Sequence, residues 1–169
     1  RRLLLKALVG RTLGVAADAI VVERSPAGAI AITAPERLCA SLSARGGWTL
    51  VGLARTAIGV DVETASPAEP LPPDVLGREE AVTLAALPAE ARPEAFARYW
   101  TVKEATLKAM GTGLNRDPAT LTVRFAGDLA EMFEAGGSVG HAEVRRTGPA
   151  VAAVALLSPF PDWEGGPAP

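Results

Sequence analysis

Apolar residues at Leu4, Leu5, Leu8, Val9 and Leu13 recur with the spacing of one helical face, and Gly14 follows them as a stop, so residues 1–13 are predicted to be helical. Residues 20–22, 30–32 and 38–42 are short apolar runs separated by Pro and Gly, the pattern of strands divided by turns. Stronger strand patterns occupy residues 48–53 and 58–62, joined by a short turn at 55–57. Residues 64–73, rich in Pro, Ser and Ala, read as a loop, and 78–87 as a short helix ending before Pro88. The best helix covers 93–110, where Pro93 suits the first turn and Gly111 the exit. Strands are predicted at 121–125, 142–144 and 151–157, and a disordered tail at 165–169. Strands and helices arrive in two successive blocks, the arrangement of an α+β chain.

Composition narrows the chemistry. The 169 residues suit one domain or two small packed halves, and a hydrophobic fraction of 49% supplies a core. A formal net charge of −2 argues against a nucleic-acid binder and still allows a local basic pocket. Cys39 is the only cysteine and His141 the only histidine, which excludes an internal disulfide and a cysteine-based zinc site and removes most metal-hydrolase and Cys–His nucleophile readings. The sequence has no apolar run of membrane-spanning length and opens, at Arg1, with no secretory pattern. The expectation is therefore a cytoplasmic protein, monomeric, with no membrane or nucleic-acid partner.

Two segments carry candidate chemistry. In a strand through Ile58-Gly59-Val60-Asp61-Val62-Glu63, alternate residues share a face, so Ile58, Val60 and Val62 point to the core and Gly59, Asp61 and Glu63 to the other side. Neighbouring carboxylates repel unless a positive charge separates them, and a hard cation such as Mg²⁺ takes oxygen ligands while keeping sites for phosphates. Gly59 would leave room for a ligand near the backbone. A solvated strand end with two exposed acids satisfies the same pattern. In the helix, Trp100, Glu104 and Lys108 lie four apart on one stripe with Lys103 beside it. An ordinary Glu104–Lys108 surface pair is one reading; a third carboxylate and two lysines completing a pyrophosphate site is the other.

Together these segments resemble the two signature motifs of the 4'-phosphopantetheinyl transferase superfamily. Gly59–Glu63 matches Gly-x-Asp-x-Glu, and Trp100–Lys108 matches Trp-x-x-Lys-Glu-Ala-x-x-Lys, followed by Gly-x-Gly-Leu at Gly111–Leu114. The opening Arg2-Leu-Leu-Leu-Lys with Leu13-Gly14, and Ser41-Leu42-Ser43 followed by Gly46, resemble the longer, surfactin-type members, against which the chain is short at its N-terminus.

The resemblance implies two similar α+β halves in pseudo-twofold relation, residues 1–57 and 58–164, with coenzyme A between them. It implies Mg²⁺-dependent transfer of 4'-phosphopantetheine from coenzyme A to a serine of an apo carrier protein that presents an acidic helix. Asp61, Glu63 and Glu104 resemble the Mg²⁺ ligands, and Glu104 the base for the acceptor serine. Lys103 and Lys108 resemble the lysines on the phosphates and the departing 3',5'-ADP; Arg2, Arg24 and Ser43 resemble the coenzyme A contacts. The family's His after the serine is Ala44 here, with Arg45 next to it as its expected substitute, and the family's Gly-Lys-Pro is Gly28-Ala29-Ile30. These departures keep open an impaired coenzyme A-binding paralogue, and the Asp–Glu–Lys set keeps open, more remotely, a metal-dependent nuclease.

Other features are read as structural. Gly136-Gly137-Ser138-Val139-Gly140 with His141 has the spacing of a nucleophile elbow but lacks its strand–helix setting and distant His, so it is expected to be a glycine turn. Glu79 and Glu80 are expected on a solvated helix face, and Trp48 and Phe96 in the core.

Overall fold

The computed structural model describes residues 2–24, 30–33, 37–65 and 73–157. Most of the predicted loop, Ala29 and the predicted tail lie outside these residues. The chain opens with helix α1 (Arg2–Leu13), ended by Gly14 at φ 68°, a left-handed stop that glycine adopts without strain. Strands β1 (Val21–Arg24), β2 (Ile30–Thr33), β3 (Arg37–Arg45) and β4 (Trp48–Ala54) follow as an antiparallel sheet in sequence order. Leu5 and Val9 of α1 bury against Ile20, Ile32, Leu38 and Ala40, which closes the first core.

The second unit is larger. Strand β5 (Ile58–Thr64) is followed by α2 (Arg78–Ala85), α3 (Arg92–Ala109), β6 (Leu121–Ala126), β7 (Leu129–Glu134), β8 (Gly137–Thr147) and β9 (Ala150–Leu157). The sheet order is β5-β9-β8-β7-β6, all antiparallel, so the last strand of the chain returns to pair with β5. Helix α3 lies across this sheet, and its Ala97, Val102 and Ala105 pack with Met132, Val144, Val151, Ala153 and Ala155. Val60 and Val62 turn the other way and are buried, while Gly59, Asp61 and Glu63 stand opposite Ala155, Ala153 and Val151 on the helix-facing side. The alternation expected from the sequence is the one the sheet adopts.

Several expectations are corrected. The glycine-rich segment is the start of β8 rather than a turn. The turn is one step earlier at Ala135-Gly136, with φ of 47° and 82°, which suits a tight hairpin. Strand β7 falls in a stretch given no element. Trp48 is exposed at the edge of β4 instead of buried, and Glu80 is buried instead of solvated. Gly59 gives its space to the helix, not to a ligand: a Cβ there would lie 2.6 Å from the Ala109 amide nitrogen and closer still to the Ala105 carbonyl oxygen.

Candidate active site

That backbone contact brings the working residues together. With α3 resting on Gly59, Glu104 and Lys108, one turn apart, come over the adjacent part of β5. Lys108 Nζ lies 2.6 Å from Asp61 Oδ1 and 3.3 Å from Glu104 Oε2. On its other side β5 is met by β3. The Val60 N–H donates to Ser41 Oγ at 2.9 Å, and the Ser43 hydroxyl donates to Asp61 Oδ1 at 2.7 Å. Ser43 therefore orients a carboxylate, and its Oγ is also 3.4 Å from Lys108 Nζ. Arg45 Nε pairs with Glu63 Oε2 at 3.2 Å.

The charges are incompletely matched. Asp61 is 1% exposed, and its Oδ2 is buried with no hydrogen-bond partner. Such an atom carries the full desolvation penalty of a polar group, roughly 1–3 kcal/mol and more when charged. Burial, then the nearby Asp61 charge, pushes the Glu104 carboxyl above its ordinary value, and Lys108 pulls part of the way back. Glu63 is raised by burial and by Asp61, with Arg45 opposing. The local balance is an excess of negative charge facing inward, so the donor chemistry suits an added cation held by Asp61 Oδ2, Glu63 and Glu104. Among the described residues, no three acidic, His or Cys groups stand ready to hold a metal ion as placed, and the Lys108 ammonium is paired with both Asp61 and Glu104.

Beside this cluster opens a cleft of about 280 Å³ between the two sheet units. One wall is Arg24, Ile30, Ser41 and Leu42; the other is Glu104, Lys108 and the glycine turn through Gly111 and Gly113. The last two turns of α3 thus present a carboxylate and an ammonium to a partly basic groove.

Not every expected residue is here. Arg24 lines the cleft, and Arg45 lies beyond the carboxylates, on Glu63. Arg2 begins α1, and its side chain lies outside the described residues. Lys103 is the clear departure. It is 0% exposed and points to the opposite side of α3, where its Nζ is 2.6 Å from Glu80 Oε2, so as placed it is closed off from a phosphate in the cleft. Sequence reasoning missed Glu80 in this role. The available signal was its place at N3 of α2, where it also accepts the Gly77 N–H at 2.7 Å.

Comparison with known proteins agrees with the motifs. The model of the 4'-phosphopantetheinyl transferase superfamily matches residues 57–154, more than half the chain and the whole span from β5 nearly through β9. No curated protein sequence matches the chain. Among solved structures, the fold is similar to Thermotoga maritima holo-[acyl-carrier-protein] synthase, at 22% identity and a TM-score of 0.50. That match covers 60% of this chain and 62% of the Thermotoga chain. Helicobacter pylori holo-[acyl-carrier-protein] synthase in complex with coenzyme A also matches, at 16% identity and a TM-score of 0.48, over 60% of this chain and 99% of that one. With the motifs on β5 and α3 inside the matched span, the chain belongs to the 4'-phosphopantetheinyl transferase superfamily.

Proposed function

We propose that this chain transfers 4'-phosphopantetheine from coenzyme A to a serine of an apo carrier protein, releasing 3',5'-ADP, and that it is a surfactin-type member acting with Mg²⁺. The observation that carries the reading is the Asp61–Lys108–Glu104 cluster, with its unmatched buried Asp61 Oδ2, at the wall of a cleft between the two sheet units.

Each group has work that its surroundings suit. The serine hydroxyl attacks the β-phosphorus, the phosphorus–oxygen bond to 3',5'-ADP breaks, and the hydroxyl proton must go to a base. Glu104 is that base, directly or through water: it faces the cleft in which the acceptor hydroxyl must meet the pyrophosphate. Lys108, also on the cleft wall, meets the pyrophosphate and stabilises negative charge as the leaving group departs. Arg24, across the cleft, serves the phosphate-rich end of coenzyme A. Ser43 holds Asp61, and Arg45 holds Glu63, so both carboxylates keep their aim. Asp61, Glu63 and Glu104 are the proposed Mg²⁺ ligands; the bound ion supplies Lewis-acid charge neutralisation to the pyrophosphate. Lys103, which the resemblance puts on the phosphates, is turned away from the cleft onto Glu80.

Among the described residues, no helix is long and apolar enough to cross a membrane. Calorimetric titration tests the ligand side directly. Coenzyme A and 3',5'-ADP should bind, more tightly with Mg²⁺ present, and Lys108→Met should weaken both. Wild-type protein that takes up neither nucleotide contradicts the reading.

A further inference from the structure

Lys103 is adjacent to Glu104 in sequence yet reaches away from the cleft. Successive residues of an α-helix diverge by about 100°, so whatever fixes one side of α3 also fixes where the neighbouring side chain points. The bonds on the Lys103 side are numerous and directional. Its ammonium donates to Glu80 Oε2 at 2.6 Å, to the Leu121 carbonyl at 2.7 Å and to the Pro118 carbonyl at 3.0 Å. Three acceptors match the three N–H donors of an ammonium group. Both oxygens of Glu80 are engaged as well. Its Oε2 also accepts the Gly77 N–H at 2.7 Å, and its Oε1 accepts the Val123 N–H at 2.8 Å. The two side chains are 0% and 2% exposed.

This buried cluster joins the start of α2, the middle of α3, the 118–120 turn and β6. The surface that α3 rests on is different in kind. Ala97, Val102 and Ala105 of the helix share one apolar cluster with Met132, Val144, Val151, Ala153 and Ala155, and apolar burial is non-directional. Apolar packing there supplies proximity, and the charged cluster supplies register. Buried ion pairs are weak evidence for stability but suit a role in specifying geometry.

We infer that the Lys103–Glu80 pair is a positioning bracket that sets the rotation of α3 and so delivers Glu104 and Lys108 to Asp61. The inference rests on the transfer reading above. It makes Lys103 a positioning residue that acts through the helix, without touching substrate.

The test compares Lys103→Met, Glu80→Met and the double variant. Each single variant strands one buried charge, at a cost that threatens folding; the double variant fills the space with apolar groups and is the informative one. Its fold is checked by near-UV circular dichroism and a cooperative melt. Mn²⁺ binding is then read from the electron paramagnetic resonance signal of the free ion, and kcat at saturating coenzyme A. The bracket predicts a folded double variant whose Mn²⁺ affinity and kcat both fall, roughly 10- to 100-fold, the usual effect of losing a residue that orients metal ligands. A folded double variant equal to wild type in both overturns the inference and leaves the pair as packing alone. Loss of 3',5'-ADP affinity in the Lys103 variants, with Mn²⁺ affinity intact and Glu80→Met unaffected, also overturns it and returns Lys103 to the phosphates. Wild-type protein that neither binds Mn²⁺ nor modifies a carrier protein overturns the transfer reading itself, and the bracket with it.

Discussion

Asp61, a single residue, is satisfied on one side only. One oxygen receives both Ser43 and Lys108, and the other receives nothing from the protein. Lys108→Met removes the main counter-charge of a buried carboxylate. Because Lys108 is itself 29% exposed, the stability cost should be about 1–3 kcal/mol, below the 3–5 of a fully buried broken pair. Transfer should fall by at least roughly 100-fold, as when a charge-stabilising donor is lost. Chemical denaturation and carrier modification check the two effects separately. The pH dependence has a definite sign. Glu63 and Glu104 have folded-state pKa values above the unfolded value of 4.5, so the folded protein holds their protons more tightly. Their contribution to stability is largest when they are protonated and is lost as pH rises from 4.5 through the raised values. Denaturation at a series of pH values should show a flatter slope in this window for Glu104→Gln than for wild type; an identical slope would count against the assignment. These residues were legible in the sequence because strand and helix periodicities place them at fixed intervals. The partner of Lys103 was not. Glu80 is distant in sequence, and two adjacent acids in a first helical turn read naturally as a solvated face.

At the scale of elements, the key event is the crossing of α3 over β5. Gly59→Ala would drive a methyl group into the helix backbone at Ala105 and Ala109, neither of which can retreat as a flexible side chain tip would. The expected result is a loss of several kcal/mol of stability, of the order seen for overpacking or more, with Mn²⁺ binding lost alongside as Glu104 and Lys108 are pushed off Asp61. A folded Gly59→Ala protein with wild-type melting temperature would contradict the packing argument. The strand and helix ends were largely readable, since α1 stops at Gly14 and α3 at the Gly111 turn. Strand β7 was hard to see because its buried positions are Ala130 and Met132, interleaved with Glu131 and Phe133, a weak alternation. The start of β8 was hidden by its glycines. Gly140 sits inside the strand because a Cβ there would be 2.9 Å from Leu157 Cα and nearer to the Leu156 carbonyl of β9. The sequence shows the glycine, and only the pairing shows the close approach.

At the scale of the whole molecule, two antiparallel sheets each carry a helix layer, and the candidate site lies where β3 of the first meets β5 and α3 of the second. Among the described residues the units are unequal, with four and five strands; α1 packs on the first, and α3 and, through Glu80, α2 meet the second. The α+β class followed from the order of elements. The two motifs identified the family from short segments whose meeting in space is a property of the fold. Group transfer with Asp61 at its centre is read out by mass spectrometry of the acceptor. Apo carrier proteins of several pathways are incubated with coenzyme A, Mg²⁺ and either wild-type protein or Asp61→Asn. Wild type should give a phosphopantetheine mass gain on a carrier serine, abolished by EDTA and reduced at least roughly 100-fold in Asp61→Asn. No mass gain on any carrier with folded wild-type protein, or an equal gain with Asp61→Asn, would contradict it.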